Sequence, residues 1–184
     1  MKQLAYATIL LRKDGYPCVF YGDLYGIPHS NVQPVAMIKT LMALRKLKAY
    51  GRQHDYFDHK NIIGWTREGD NRHLDSGLAV IGSNSFDAEK RMYVGTSFAG
   101  EKFIDCLDNC SDVVTIDSDG CGVFKVRGKS CSVWVRKWII WIDFLSKGKK
   151  YLFLLCRFLP QNMIYFLNKK SEKKGKSKWT QTKK

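Results

Sequence analysis

Three features that assign many proteins to a class are missing from this chain of 184 residues. Its first residues lack the basic and apolar segments of a secretory signal. Its six cysteines show neither the density of a disulfide scaffold nor paired CxxC spacing. Its apolar runs are shorter than the roughly 20 residues that a helix needs to cross a bilayer. We therefore expect reduced thiols in a cytoplasmic protein, with neither a zinc site nor a membrane span.

An excess of positive charge is present, but it is unevenly distributed. The net charge is +14, and residues 138–184 hold 12 Lys/Arg against 2 Asp/Glu, whereas residues 1–137 hold 19 against 15. A protein that binds nucleic acid carries its charge on the folded surface. Because the body of the chain is nearly neutral, we expect no nucleic-acid partner. The apolar content of 45 % is sufficient for a folded core.

Residues 1–51 carry the pattern helix, strand, helix. The apolar run 4–11 is followed by basic residues and a glycine, which together form a helix stop signal. Residues 17–21 form a short continuous apolar run, typical of a strand buried on both faces of a parallel sheet. Helical spacing returns over 35–50 and stops at Gly51. This segment is an α/β fragment that does not close a sheet by itself.

Residues 52–137 change character, because short apolar runs now recur about every ten residues with Gly, Asn, Asp and Ser between them. Regular short strands separated by turn residues predict an all-β antiparallel Greek-key sandwich. The predicted strands are 53–58, 61–67, 77–81, 90–94, 103–107, 113–116, 122–126 and 131–136.

Residues 138–184 fit neither pattern, since short apolar stretches alternate with basic ones and the end is almost entirely Lys, Ser, Thr and Gln. One interpretation is an irregular or helical interfacial anchor with a polybasic end, which would contact a membrane. The favoured interpretation is translation in a shifted frame or past a lost stop codon. AT-rich DNA read in that way gives an excess of Phe, Leu, Ile, Asn and Lys.

Several motifs occur in order between about residue 4 and residue 136. They include Leu4-Ala5-Tyr6-Ala7, Val19-Phe20-Tyr21-Gly22-Asp23, Gln53-His54-Asp55-Tyr56-Phe57-Asp58-His59, Gly64-Trp65-Thr66-Arg67-Glu68-Gly69-Asp70, Lys90-Arg91-Met92-Tyr93-Val94-Gly95 and Cys131-Ser132-Val133-Trp134-Val135. This series resembles the end of the bacterial liquefying-type, cytoplasmic-like alpha-amylases of glycoside hydrolase family 13. The resemblance implies that residues 1–51 end a (β/α)8 catalytic barrel and that residues 52–137 form the C-terminal β-sandwich. It does not extend into residues 138–184.

The resemblance implies retaining endo-hydrolysis of α-1,4-glucosidic bonds in starch or glycogen. Such a reaction uses two carboxyl groups about 5–5.5 Å apart. In this family these groups and a third, stabilising Asp precede the part that resembles this chain. We therefore expect no catalytic residue here and an inactive isolated chain. The alternative is a non-catalytic β-sandwich module that binds glucan or another partner.

Tyr21, Gly22 and Asp23 follow the predicted barrel strand, where the active-site face of such barrels lies. They are candidate substrate-binding residues, and packing at a strand end is the alternative. The aromatic residues Trp65, Tyr93 and Trp134 could stack on sugars, but in a sandwich they are expected to be core.

Two groups of residues contain side chains or carbonyls of the types that bind metals. Alternation along a strand places His54 and Asp58 on one face and Asp55 and His59 on the other, so we expect structural roles. Some family members bind calcium between barrel and sandwich. The resemblance assigns that site to the carbonyl of Lys60 and to the side chains of Asn61 and Asn84. Because Asn stands where the family has Asp, two charges are lost and we expect calcium binding to be weak or absent.

Overall fold

The computed structural model describes residues 2–137. The basic, apolar segment 138–184 and its interpretation as a membrane contact or a translation artefact lie outside the described residues. Within residues 2–137, no helix has the length and apolarity needed to span a membrane.

Three helices open the chain. They are α1 (Lys2–Leu11), the short α2 (Tyr21–Tyr25) and α3 (Ile38–Lys48), with a 3-10 turn at Pro28–Ser30 between α2 and α3. The two longer helices agree with the sequence pattern. α3 ends with three basic residues in its last turn, which favourably oppose the partial negative charge of a helix C-terminus.

The predicted strand at residues 17–21 is not formed in the described part of the chain. Phe20 has extended backbone angles, φ −67° and ψ 129°, but residues 16–20 belong to no strand and Tyr21 begins α2. Cys18 and Phe20 are exposed, so the predicted burial on both faces is not found within residues 2–137. A strand requires a neighbour that accepts and donates its backbone hydrogen bonds, and residues 2–137 supply none here.

Eight antiparallel strands follow, and each predicted strand is confirmed to within two residues at either end. They are β1 (Gln53–His59), β2 (Ile62–Arg67), β3 (Leu78–Ser83), β4 (Ala88–Tyr93), β5 (Lys102–Asp105), β6 (Val113–Thr115), β7 (Cys121–Val126) and β8 (Ser130–Arg136). Six of them form one sheet in the order β1-β2-β3-β8-β5-β6, and β4 pairs with β7 in a second, smaller sheet.

The six-stranded sheet is covered on both faces. Between the two sheets lies a core with a chain of aromatic rings, in which Phe103, Phe124 and Trp134 follow one another at centroid distances of 6.0 and 5.9 Å. On the opposite face, apolar side chains of α1 and α3 pack on Trp65 and on neighbouring residues of β3 and β8. Every residue of β3 is consequently buried. The helices and both sheets belong to one compact unit.

Candidate functional site

The candidate substrate residues lie on α2. The Tyr21 side chain is exposed, whereas Gly22 and Asp23 are buried. A Cβ atom at Gly22 would approach Phe20 Cε1 to 2.6 Å and Ile27 Cδ1 to 2.7 Å, so this position has room only for hydrogen. Of the three residues, Tyr21 is the one whose side chain reaches solvent.

Asp23 connects α2 to α1. Lys2 donates a hydrogen bond to Asp23 Oδ1 at 2.6 Å, and the Tyr6 hydroxyl donates to Oδ2 at 2.7 Å. These two donors lower the pKa of the Asp23 carboxyl below its ordinary value. The same contact raises the pKa of Tyr6, whose neutral form is the donor. Both carboxylate oxygens thus hold two helices together.

Exposed aromatic side chains surround this site. Tyr16, Phe20, Tyr21 and Tyr25 each expose more than half of their surface, and we call them the aromatic surface. The Tyr21 and Tyr25 rings lie 4.8 Å apart, and the Lys39 ammonium group lies 5.5 Å from the Tyr25 ring centroid. Large apolar groups near one another on a surface are typical of an interaction site.

The three candidate calcium residues lie on two neighbouring turns. Lys60 and Asn61 form the β1–β2 turn, Asn84 follows β3, and the Asn84 amide donates to the Asn61 carbonyl at 3.1 Å. The structure thereby brings the predicted residues together. They offer neutral oxygens and no carboxylate, a donor set that fits calcium poorly because this ion prefers several charged oxygen ligands. No cluster of three His, Cys, Asp or Glu suited to a metal occurs in residues 2–137.

The histidines and aspartates of β1 have separate partners. His54 contacts Glu68, Asp55 pairs with Arg12, and Asp58 pairs with Lys90. His59 Nδ1 accepts a hydrogen bond from the Asn61 amide at 3.1 Å. The structural interpretation of these four residues agrees with this arrangement.

The sandwich aromatics belong mainly to the core. Trp65 and Trp134 are fully buried, which confirms the core prediction and excludes their stacking on a sugar in this conformation. Tyr93 is half-buried, lies edge-on to the His54 ring, and its carbonyl accepts from the Thr66 hydroxyl at 2.6 Å. None of the three provides an exposed sugar platform.

A buried ion network was not predicted from the sequence. Lys48, at the end of α3, contacts Asp75 through its ammonium group, and Arg136 of β8 donates to Asp75 Oδ1 at 2.9 and 3.1 Å. Arg136 also lies 3.5 Å from Glu101. The network connects α3 to the β2–β3 loop and to β8. The one signal in the sequence is that Asp75 lies two residues before Gly77, a pattern that indicates a turn but no ion pair.

Asp105 is a second missed residue. It is buried at the end of β5 and accepts four backbone N–H bonds of 2.9–3.0 Å, from Val133 and from the loop residues Leu107, Asn109 and Cys110. Burial raises its pKa, while the four donors oppose that rise. Burial also raises the pKa of the neighbouring thiols Cys106 and Cys131 to about 12. These thiols therefore stay protonated at neutral pH.

Comparison with known proteins relates these elements to one family. The alpha-amylase C-terminal family matches residues 78–135. The chain is 55 % identical over 135 residues to an alpha-amylase of Geobacillus stearothermophilus, with 73 % of this chain and 25 % of that protein covered. It is 37 % identical over 150 residues to the cytoplasmic alpha-amylase of Escherichia coli (strain K12), with 76 % and 30 % covered.

A solved structure has a similar fold. The gamma-CGTase of alkalophilic Bacillus clarkii superposes with a TM-score of 0.52 at 19 % identity, over 72 % of this chain and 22 % of that one. The chain thus spans about a quarter of the length of the proteins that it matches.

Proposed function

We infer that this chain, which is related to the alpha-amylases and matches their C-terminal domain at residues 78–135, is the C-terminal portion of such an enzyme. In this proposal residues 1–51 end the catalytic barrel, and residues 52–137 form a Greek-key sandwich that braces it. The complete enzyme would cleave α-1,4-glucosidic bonds of starch or glycogen with retention, for which it needs two carboxylates. We assign no catalytic residue to this chain and expect it to be inactive alone.

The aromatic surface is the observation that carries this proposal. Residues 16–20 belong to no helix or strand, expose Tyr16 and Phe20, and pair with no strand among residues 2–137, and the backbone of Phe20 is extended. A parallel barrel buries its strands on both faces and pairs each of them on both sides. The remaining strands of a barrel would therefore satisfy the backbone of this segment and cover its side chains.

The roles of the candidate substrate residues differ within this proposal. Barrel enzymes bind substrate at the ends of their strands, and the Tyr21 side chain is accessible there. Asp23 uses both oxygens on Lys2 and Tyr6, so we propose that it is a positioning residue that holds α2. Gly22 allows the close contact with Phe20 and Ile27.

We propose that calcium binding at Lys60, Asn61 and Asn84 is weak or lost, because this donor set lacks a carboxylate. A chelator is then expected to leave the melting temperature of the chain unchanged. A melting temperature that falls on chelation and recovers with calcium would contradict this proposal.

A cytoplasmic location is also proposed. The five cysteines among residues 2–137 are free thiols, which is typical of a reducing compartment. Fractionation of the source cells, with detection of this chain, is the direct test.

The alternative function, a module that binds glucan without cutting it, has one observation in its favour. The aromatic surface offers accessible rings of the type that pack on sugars. Sedimentation of the chain with insoluble starch tests this alternative. If these rings bind starch, the original chain should sediment with the starch and the double variant Tyr21→Ala, Tyr25→Ala should stay in the supernatant.

Complementation tests the first proposal. The partner fragment is the Geobacillus alpha-amylase without the quarter of its length that this chain matches. We expect neither piece to hydrolyse starch alone and the mixture to do so, because residues 1–51 add the last strand and the helices around it that complete the barrel.

A pair of variants makes this test specific. Phe20→Asp places a charge in the aromatic surface and should abolish the activity of the mixture, whereas Val123→Asp places the same charge on an exposed residue of β7 and should not. Starch hydrolysis by the chain alone would contradict the proposed inactivity. An inactive mixture of two folded pieces would contradict the proposal that this chain completes the barrel of the partner fragment.

A further inference from the structure

A cleft of about 360 Å³ opens where the end of α1, the second half of α3 and the end of β2 meet. Its lining, drawn from residues 2–137, contains no carboxylate. The charged side chains in it are Arg12, Lys13, Arg45, Lys46 and Arg67, and we call it the basic cleft. It lies apart from the Tyr21–Asp23 site and shares no residue with it.

The three guanidinium groups of the basic cleft are fixed in place. Arg45 donates to the Leu10 carbonyl at 2.6 Å, which closes the end of α1. Arg67 donates to the Gly51 carbonyl at 3.0 and 3.2 Å. These bonds use only some of the five N–H donors that each guanidinium carries. The cleft therefore has rigid cations with donors to spare.

Some N–H donors of the cleft bond no acceptor among residues 2–137. Arg12 pairs with Asp55 through Nη2 at 2.8 Å, but its Nε is buried without a hydrogen-bond partner in the described part of the chain. Lys13 and Lys46 are exposed, and their ammonium groups form no ion pair within residues 2–137. A buried N–H without an acceptor is unfavourable.

The positive charges also act on one another. Burial, together with the nearby charge of Arg45, lowers the pKa of the Arg67 guanidinium, and Asp14 and Asp70 offset part of this effect. A cleft in which a buried guanidinium lies near other cations stabilises an anion that enters it.

We propose that the basic cleft binds a phosphate group, either as the free ion or as the ester of a sugar. The five charged side chains of the lining offer donors alone, and the planar guanidinium fork matches the oxygens of a phosphate. Met42 and Tyr50 line the same cleft and give a sugar ring an apolar surface. This site is independent of the Tyr21–Asp23 site and of the aromatic surface.

Thermal unfolding of the full chain tests the proposal. Because a ligand that binds only the folded state stabilises it, inorganic phosphate at about 10 mM should raise the melting temperature relative to chloride at equal ionic strength. Glucose 6-phosphate and glucose form the second arm. A larger rise with glucose 6-phosphate identifies the ester as ligand, an equal rise identifies the phosphate group alone, and glucose should have no effect.

Two variants of equal charge localise the binding. In calorimetric titration, the double variant Lys13→Gln, Lys46→Gln should bind phosphate about tenfold more weakly than the original chain. The loss is modest because each exposed ion pair contributes little to the binding free energy. Lys102→Gln, Lys129→Gln removes two exposed cations elsewhere and should bind as the original chain does. Because both variants keep residues 138–184, the basic end of the chain acts equally on both.

Two results would overturn the proposal. The first is no shift of the melting temperature and no heat of binding for the original chain with phosphate. The second is equal weakening in both double variants, which would mean that phosphate responds only to net charge. If Lys13→Gln, Lys46→Gln fails to fold by circular dichroism, Lys46→Gln alone replaces it with a smaller expected loss.

Discussion

Single polar residues hold the loops and helices of this protein in place, and Asp105 is the clearest case. Its carboxylate gathers four backbone N–H groups from β8 and from the loop after β5. Without it these groups would be left without acceptors beside the core. Its role is therefore to fix a loop, although a buried carboxylate is also a common catalytic group.

Asp105→Asn should lower the free energy of unfolding by about 2–4 kcal/mol, because the amide NH₂ accepts no hydrogen bond and two backbone N–H groups lose their acceptor. Asp112→Asn is the matched control, since Asp112 is exposed and, among residues 2–137, forms its ion pair with Lys125 at the surface. It should change the free energy of unfolding by less than about 1 kcal/mol. Urea unfolding of both variants at neutral pH measures the difference, and equal losses would exclude the proposed role of Asp105.

The pH dependence of stability should contain a contribution from Asp23. Because the pKa of Asp23 is lower in the folded chain than its ordinary value of 3.8, its contribution is fully present above pH 3.8. It is lost as the pH falls through the folded pKa. The stability difference between the original chain and Asp23→Asn should therefore be constant from pH 7 to 5 and shrink below pH 4. Urea unfolding across this range measures this stability difference. A difference that grows toward low pH would contradict the stabilising role of the ionised Asp23 carboxylate.

At the scale of elements, the joint between α3 and β1 determines how the helices pack on the sheet. Gly51 lies in this joint with φ +79°, and a Cβ atom there would overlap the Gly69 carbonyl oxygen. The Gly69 amide donates to the Tyr50 carbonyl at 3.0 Å, and Arg67 donates to Gly51. Two backbone segments thus touch at a place where a side chain does not fit.

Gly51→Ala and Gly100→Ala form a matched pair, because φ is +79° at the first and +78° at the second, while a Cβ at Gly100 meets no atom within 4 Å. Gly100→Ala should cost only the left-handed strain of about 1–2 kcal/mol. Gly51→Ala should cost about 3 kcal/mol or more beyond this, since backbone atoms must move. Chemical denaturation measures the free energy of unfolding of both variants. Equal losses would mean that the backbone around Gly51 and Gly69 moves at little cost.

For the whole molecule, the main feature is a covered sheet beside an uncovered aromatic surface. The six-stranded sheet buries both faces, against the helices on one side and against β4 and β7 on the other. The aromatic surface has no such cover from residues 2–137. A buried core and an exposed aromatic surface therefore occur together in one unit.

The isolated chain should bind a hydrophobic dye through the aromatic surface, because exposed apolar groups near one another attract apolar ligands. Phe20→Ser, Tyr21→Ser, Tyr25→Ser should lose much of the dye fluorescence. The control is Leu74→Ser, Val113→Ser, Val123→Ser, which removes exposed apolar groups from the sandwich and should retain it. Equal fluorescence in both triple variants would mean that the dye binds elsewhere.

The local pattern of the sequence determined the secondary structure of the sandwich and the family to which the chain is related. Alternation and turn residues predicted the eight strands, because successive side chains of a strand point to opposite faces of the sheet and the local sequence shows this period. Helical spacing predicted α1 and α3 in the same way. The motifs between residues 4 and 136 indicated the alpha-amylase relationship, and the resemblance marked Asn61 and Asn84, which the structure brings together.

Only the tertiary structure decided which surfaces meet. Residues 16–20 remain unpaired because a strand depends on a neighbour that residues 2–137 do not provide. Asp75 joins α3 to β8, and Arg12, Arg45 and Arg67 converge in the basic cleft, although these residues are far apart in sequence. Such contacts follow from the packing of whole elements against one another, and packing depends on long-range neighbours that no local pattern encodes.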